Sequence, residues 1–356
     1  MAVADMALQR LDGDRRYLGR KLSLVLTILL FVLALLSLGH GASGISAPAI
    51  LADWLAGRDI AATDRVILLN IRLPRLLTGI LVGAALAVSG AIMQGLFRNP
   101  LADPGLLGVS AGASLGAISA IVLGSVLPAG FAALFGWYLV PAAAFAGSWI
   151  AMITLYAIAT RQGRTSVATM LLAGIAMAAM ISALSGVIIF VADDQQLRDL
   201  TFWGLGSLAG SSWAKVSVAG PAILLALILA PLLARGLNGM ALGEAAAVHV
   251  GIRVQRVKTA AVLITAAATG TAVAISGGIG FVGIVVPHLL RLISGPDHRW
   301  LLVNSGLLGA IVLIAADMVS RNIVAPAELP IGIVTAILGG PFFMWVLLSN
   351  RRTLDG

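Results

Sequence analysis

Five residues in the first third of the chain have the types and spacing of a catalytic motif. Gly108-Val109-Ser110-Ala111-Gly112 matches the G-x-S-x-G pattern, in which a hydrolase places its nucleophilic serine on a sharp turn. Such a serine needs a histidine as its base. The chain has four histidines, all distant from Ser110 in sequence: His40, His249, His288 and His298. Gly108, Gly112 and Gly116 recur at every fourth position, which is typical of closely packed membrane helices. We therefore expect helix packing here and no catalytic residue.

Other kinds of chemistry are also missing from the sequence. No G-x-x-x-x-G-K-[ST] phosphate loop occurs, so the chain cannot hydrolyse ATP by that route. Without cysteine there are no disulfides or thiolate ligands, and the histidines lack metal-site spacing, so we predict no metal site. An ion-coupled carrier is expected to hold a carboxylate near mid-membrane. Asp103, in an inner loop, and Asp317, near an outer helix end, come closest. A transporter built this way must take its energy from a partner.

The composition places the protein in a membrane. Hydrophobic residues make up 60% of the 356 positions, charged residues only 11%, and the mean hydropathy is +1.03. Soluble domains carry about 25% charged residues. The net charge of +8 suggests nucleic acid at first, but the basic residues fall in short gaps between apolar runs and form no nucleic-acid patch. We therefore predict an all-α polytopic membrane protein that does not bind nucleic acid.

Ten apolar runs are long enough to cross a bilayer, although the eighth is short. They cover 22–38, 76–96, 106–126, 139–159, 167–191, 216–234, 258–276, 279–293, 301–319 and 331–349. The first run resembles a signal peptide, but its 17 residues exceed the usual ~7–15 apolar residues of one. We interpret it as a first membrane helix that is retained.

The distribution of arginine and lysine predicts the direction of the crossings. With a cytoplasmic N-terminus, the inner segments hold 16 of the 23 basic residues and the outer segments hold 7. Cytoplasmic loops carry such an excess, so both termini are predicted to be cytoplasmic. The predicted domains are an N-terminal tail 1–21, a transmembrane domain 22–349 with an inner loop 235–257, and a C-terminal tail 350–356.

A short internal repeat supports ten crossings. Residues 85–92 read ALAVSGAI and residues 272–279 read AVAISGGI, identical at five of eight positions. The copies lie in the second and seventh predicted spans, five crossings apart, so they must run in opposite directions. Inverted repeats of this kind are typical of transporters that open alternately to each side.

Three of the arginines on the outer side lie close to the ends of predicted spans, against the general bias. Arg72 and Arg75 precede the second span, and Arg321 follows the ninth. They could reach up to lipid headgroups. Alternatively, they could receive the carboxylates of a partner protein through forked hydrogen bonds.

The longest inner loop contains a short predicted helix. Ala241–Val250 has Glu244 near its start, where a negative charge suits the helix dipole, and Gly251 ends it. This segment could lie on lipid, or it could fit a groove in a soluble partner.

Three long segments resemble one family of transporters. They are RLPRLLTGILVGAALAVSGAIMQGLFRNPLADPGLLGVSAGASLG (72–116), ISGGIGFVGIVVPHLLRL (275–292) and AELPIGIVTAILGGPFF (327–343). Together they resemble the FecCD-type membrane permeases of bacterial ABC importers for haem, iron–siderophores or vitamin B12, and the likeness extends over essentially the whole chain. The resemblance implies the type II importer permease fold, with helices 1–5 and 6–10 as an inverted repeat.

The resemblance also implies an assembly and a location. Two copies of the permease, two cytoplasmic ATPase subunits and a periplasmic substrate-binding protein would work together in the bacterial inner membrane. The pathway would lie on the dimer axis. ATP and Mg²⁺ would belong to the ATPase, and this chain would bind no cofactor of its own.

Residue by residue, the resemblance implies three sites. Arg72, Arg75 and Arg321 match the arginines that receive glutamates of the binding protein. Gly243, Glu244 and Ala245, with the segment up to Gly251, match the coupling helix that contacts the ATPase. The inner gate would comprise Ser166, Val167, Ala168 and Thr169. Where the vitamin B12 members have polar gate residues this chain has Val167 and Ala168, which would close a pore as a hydrophobic constriction.

The cargo is the least determined part of the prediction. The sequence as a whole, including FWGLGSLAGSSW (202–213), most resembles those of the haem-importing members. An iron–siderophore or another ferric chelate is the next alternative, cobalamin follows, and an ion-coupled secondary carrier is the alternative of a different class. Trp54, Trp203 and Trp213 are expected at the outer lipid interface.

Overall fold

A computed structural model describes residues 16–39, 61–124, 128 and 135–349. The predicted C-terminal tail, most of the N-terminal tail, His40 and Trp54 lie outside these residues. The described chain is almost entirely helical. Its helices, numbered in chain order, are α1 (Arg16–Gly39), α2 (Ala62–Phe97), α3 (Val109–Leu123), α4 (Leu139–Ala159), α5 (Val167–Phe190), α6 (Asp194–Gly204), α7 (Trp213–Ala241), α8 (Glu244–His249), α9 (Val254–Ser276), α10 (Val282–Ser294), α11 (His298–Asn322) and α12 (Ile331–Ser349).

All ten predicted spans are present as helices, which confirms the all-α polytopic fold. Seven helices are long and apolar enough to cross a membrane, and α3, α10 and α12 are further apolar helices. Within the described residues, β structure is limited to a two-stranded hairpin between α4 and α5. It pairs β1 (Thr160–Arg161) with β2 (Arg164–Thr165).

A helix stands where the sequence predicted only a loop. Residues 192–215 contain α6, which lacks the apolar length of a crossing helix. Asp193 begins it, accepting a hydrogen bond from the backbone N–H of Gln196 at 2.8 Å. The Gln196 side chain in turn accepts from the backbone N–H of Asp193 at 3.0 Å. This reciprocal capping satisfies two amide groups that a helix start otherwise leaves unpaired, and it was overlooked because apolar periodicity was the criterion.

The predicted inner helix is shorter than expected. The chain ends α7 at Ala241 and begins α8 only at Glu244, so the predicted run Ala241–Val250 is wrong at its start. The break lies at Gly243, whose φ of +106° is a conformation that residues with a Cβ rarely adopt. Gly251 follows α8 with a φ of +82°, as its predicted role in ending the helix requires.

The eighth predicted span also begins too early. The chain leaves helical structure after Ser276, and α10 starts at Val282. The intervening backbone is held by other parts of the protein. Gly278 N–H donates to the carbonyl of Trp203 at 3.4 Å, and Ser207 N–H donates to that of Ser276 at 2.8 Å.

Helix α2 is the centre of the molecule. Nearly every side chain from Pro74 to Phe97 is buried, and α7, α9, α10 and α11 pack around it. Contacts between backbones bring the helices together, because a Cβ on Gly83 would overlap the carbonyl group of Gly309. A Cβ on Gly90 would likewise overlap that of Gly283. Small residues permit this approach in lipid, where no hydrophobic force drives helices together.

The serine motif is part of the same kind of packing. Gly112 and Gly116 of α3 lie directly against the backbone of Gly147 and Ala143 on α4. Within the described part of the chain, Ser110 forms no hydrogen bond to a histidine. The prediction of a helix-packing face is confirmed.

The connecting segments gather at two ends of the bundle. One end, which we call the basic end, holds Arg98, the hairpin, α8 and the α10–α11 turn, joined by contacts such as Asn238 to Asp297 at 2.6 Å. The opposite end holds Arg72, Arg75, Arg321 and the α9–α10 break. Helix α2 runs toward the basic end and α9 away from it, so the two copies of the repeat are antiparallel as predicted.

Candidate functional site

The opposite end carries a compact cluster of charges. Arg75 of α2 donates through Nε and Nη2 to Asp317 of α11, at 3.0 Å and 2.8 Å. Its Nη1 and Nη2 atoms also donate to the two carboxylate oxygens of Glu328, at 2.7 Å and 2.9 Å. Arg321, one turn beyond Asp317, forms a second ion pair with that aspartate at 3.2 Å. We call Arg75, Asp317, Arg321 and Glu328 the charge cluster.

The three predicted docking arginines lie together and are buried. Arg72 donates to the carbonyl of Leu38 at 2.5 Å, and Arg321 donates to the Ser37 hydroxyl at 3.0 Å. Arg75 is only 8% exposed, whereas the Glu328 side chain is 38% exposed. Burial against protein argues against simple extension into lipid headgroups. The sequence prediction missed Asp317 and Glu328 as partners, because nothing in the order of residues pairs α2 with α11.

The basic end carries the predicted coupling segment. Glu244 begins α8, and its carboxylate lies 2.7 Å from the ammonium of Lys258 on α9. Ala247 is completely buried, whereas Ala245 and Gly251 are exposed. Apolar side chains around α8 also face outward: Leu242, Val248 and Val250. The segment therefore has one anchored face and one exposed apolar face.

The four predicted gate residues form the first turn of α5. Ser166 caps the helix, and its hydroxyl accepts hydrogen bonds from the backbone N–H and the hydroxyl of Thr169, at 3.2 Å and 2.9 Å. Val167 packs partly against the core, whereas Ala168 and Thr169 are exposed. The turn lies at the basic end, and its role as a gate stays a prediction.

Lys258 of α9 joins the coupling segment to the residue before the predicted gate, and Gln255 also holds that residue. Lys258 donates to the carbonyl of Thr165 at 2.7 Å, and Gln255 accepts from the backbone N–H of the same threonine at 2.9 Å. Thr165 directly precedes Ser166. The sequence prediction overlooked both residues of α9, because Lys258 begins the apolar run 258–276 and Gln255 lies just before it, where polar residues are typical of a membrane boundary.

The turn between α2 and α3 is also at the basic end. Asn99 accepts the N–H of Leu101 at 2.9 Å, and Asp103 accepts that of Gly105 at 2.7 Å. Burial raises the pKa of the Asp103 carboxyl, and the hydrogen bond from Gly105 only partly opposes this.

An aromatic cavity of about 670 Å³ opens at the opposite end. Trp137, Tyr138, Phe202 and Trp203 line it, together with the cationic side chain of Lys215. Trp203 packs against a small alanine-rich cluster and is half-buried. Its expected position at the outer lipid interface stays a prediction. Trp213 is exposed and donates to the carbonyl of Leu69 at 2.8 Å.

Comparison with known proteins agrees with this architecture. The sequence profile of the FecCD transport family matches residues 28–349, and the chain belongs to this family. It is a multi-pass membrane protein and the permease of an ABC importer.

Two curated relatives and one solved structure give the range of similarity. The hemin transport system permease protein HmuU of Yersinia pestis is 45% identical over 333 residues, covering 94% of this chain and 98% of that protein. The cobalamin import system permease protein BtuC of Halobacterium salinarum is 42% identical over 292 residues, which cover 82% of this chain and 76% of that protein. A metal-chelate type ABC transporter solved in an inward-facing conformation matches with a TM-score of 0.81 and 30% identity. The match covers 93% of this chain and 99% of that chain.

Proposed function

We propose that this permease imports haem, working as a pair of copies with two cytoplasmic ATPase subunits and a periplasmic binding protein. The observation that carries the choice of haem is the 45% identity to a hemin permease over nearly the full length of both chains. The proposed location is the bacterial inner membrane, with the basic end and both termini in the cytoplasm. The excess of arginine and lysine at that end supports this direction.

The ATPase is proposed to bind the exposed face of α8. Leu242, Val248 and Val250 place apolar side chains there, and Arg253 and Arg256 lie exposed close by in the chain. An apolar patch with a charged rim is typical of a protein–protein contact. A segment lying on lipid is the alternative, and it predicts that ATPase binding survives substitution of this patch. Val248→Asp should abolish co-purification of the ATPase. Ile323→Asp, which alters a similarly exposed apolar residue just after α11 at the opposite end, should leave it intact.

The binding protein is proposed to dock on the charge cluster. Arg75 already holds the carboxylate of Glu328, which is the most accessible member. We infer that a carboxylate of the binding protein replaces Glu328 as the acceptor of the two hydrogen bonds from Arg75 Nη1 and Nη2. Because the displaced pair is partly exposed, its strength is about 0–1 kcal/mol, and Glu328→Gln should tighten docking by up to about fivefold. Weaker docking of this variant would contradict the exchange of carboxylates.

Transport of haem is tested with purified components. The permease, its ATPase and its binding protein are reconstituted in liposomes, and uptake is compared for haem, a ferric siderophore and cobalamin. We expect ATP-dependent uptake of haem alone. Cobalamin relatives at 42–43% identity make cobalamin the second candidate, and its preferential uptake would overturn the assignment of haem. Uptake driven by an ion gradient without the ATPase would overturn the importer mechanism itself.

A further inference from the structure

We propose that Lys258 is a positioning residue that transmits the displacement of α8 to the start of α5. This inference rests on the proposed function, because it assumes that a partner ATPase moves α8. Lys258 lies in the second turn of α9 and is 4% exposed. A buried ammonium is costly to desolvate, so its partners are informative. They are the Glu244 carboxylate and the Thr165 carbonyl oxygen, each 2.7 Å from Nζ.

One partner belongs to a short helix between two glycines. Helix α8 has six residues, of which Ala247 is the buried one, and it lies between Gly243 and Gly251. Both glycines have positive φ, so the chain changes direction sharply on each side of the helix. Glu244, 44% exposed, is the residue through which α8 forms its ion pair with α9.

The other partner belongs to a firmly held block. The Thr165 backbone N–H donates to Gln255, one turn before Lys258, and the Thr165 hydroxyl lies 2.9 Å from that of Thr160. Ser166 N–H donates to the carbonyl of Ala159 at 3.0 Å, which closes the hairpin between α4 and α5. A displacement at Thr165 therefore reaches α5 directly, since Ser166 is the capping residue of that helix.

Together these contacts form a short physical connection between two places that are far apart in sequence. It runs from Glu244 through the Lys258 ammonium to Thr165, and each step is one hydrogen bond or ion pair. Such a chain of contacts shows adjacency, and coupling has to be demonstrated by perturbing both ends. The measurements below do so.

The first measurement is the ratio of haem molecules imported to ATP molecules hydrolysed in liposomes. Lys258→Met roughly keeps the length of the side chain and removes its charge and hydrogen bonds. The remaining partner, Glu244, is 44% exposed, so water can solvate its carboxylate when the ammonium is lost. We expect the ratio to fall at least about fivefold, the lower end of measured coupling effects, while ATPase binding stays unchanged. Lys21→Met, which removes the same charge from an exposed position on α1, should leave the ratio as it is.

The second measurement is a double-mutant cycle. If Glu244 acts through Lys258, then Glu244→Gln combined with Lys258→Met is no worse than the stronger single variant. If the two effects multiply, the residues act independently and the proposed connection is refuted. The cycle uses ratios, so a general loss of folded protein does not affect it.

The third measurement follows the movement itself. Because the chain contains no cysteine, spin labels can be attached at His249→Cys, beside the proposed ATPase-binding patch, and at Arg164→Cys, both at exposed positions. In the protein that keeps Lys258, the distance from each of these labels to a third label on α11 should change between the ATP-bound and ADP-bound complexes. In the Lys258→Met variant only the α8 label should shift. An Arg164 label that still follows α8 in that variant would overturn the inference.

Failure of the inference and failure of the proposed function give different results. If the parent complex imports no haem under ATP, the proposed function fails and the labels still report whether α8 and the hairpin move together. If the parent imports haem and Lys258→Met retains the normal ratio, only the role of Lys258 is wrong.

Discussion

Replacing Asp317 by asparagine should destabilise the protein strongly, because this carboxylate lies between two buried arginines. Asp317 is 4% exposed and accepts two hydrogen bonds from Arg75 within 3.0 Å, while Arg321 lies 3.2 Å away. Asparagine keeps the shape of the side chain and removes its charge. It therefore leaves the two guanidinium groups facing a neutral amide.

The magnitude follows from the distances. At 2.8 Å and an effective dielectric constant of 20, the attraction between Arg75 and Asp317 is about 6 kcal/mol before the cost of desolvation. Measured losses on breaking one partner of a buried pair are about 3–5 kcal/mol, and we expect Asp317→Asn to fall in that range. Glu328→Gln is the matched control, since its side chain is 38% exposed. Its expected loss is about 0–1 kcal/mol.

The free energy of unfolding is measured in mixed detergent micelles, with tryptophan fluorescence as the signal and increasing SDS as the denaturant. The two variants should differ by about 2–5 kcal/mol. If Asp317→Asn costs no more than Glu328→Gln, then the buried arginines are solvated or paired elsewhere, and the structural argument for the charge cluster fails.

Two further predictions concern packing and pH. Gly90→Ala should cost about 1–3 kcal/mol, because its Cβ would overlap the Gly283 carbonyl and force α2 away from α10; Gly186→Ala, with no atom near its Cβ, should be neutral or stabilising by up to about 1 kcal/mol in the same unfolding assay. Burial raises the pKa of Asp103, so there is a pH range in which the folded protein keeps a proton that the unfolded chain has released. The free energy of unfolding therefore falls as the pH rises from the unfolded pKa to the folded pKa. Asp103→Asn keeps an oxygen that can accept the hydrogen bond from the Gly105 N–H. At neutral pH this variant should therefore melt at a higher temperature than the unsubstituted protein, and the difference should vanish on acidification. A difference that stays constant across pH would rule out titration of this carboxyl.

Much of the fold was predictable because membrane helices must satisfy their own backbone and cover it with apolar side chains. The ten spans and their alternating direction follow from this rule and from the arginine distribution. The errors lie where the backbone finds partners in another segment. Asp194–Gly204 and the break after Ser276 are examples, since each depends on contacts that apolar length does not record.

The candidate sites were predicted in part. Arg75 and Arg321 stood out in the sequence because they are basic residues on the predicted outer side. The carboxylates that pair with Arg75 come from a distant part of the chain, and the sequence did not indicate them. Lys258 illustrates the same limit. In the sequence it is a basic residue at a membrane boundary, and only the folding of the hairpin and α8 around it shows that it joins two predicted sites.

The break before α10 has a consequence for how the protein can be made. With 13 residues, α10 is about 20 Å long, shorter than the hydrocarbon layer of about 30 Å. Gly277–Phe281 precedes α10 as non-helical backbone, and the amide of Gly278 donates to the carbonyl of Trp203, which lies between the fifth and sixth predicted spans. Gly332 N–H likewise donates to Leu205 at 3.0 Å. The C-terminal part of the chain therefore relies on residues 203–207 for its packing, and a fragment synthesised without them would leave the amides of Gly278 and Gly332 without these acceptors.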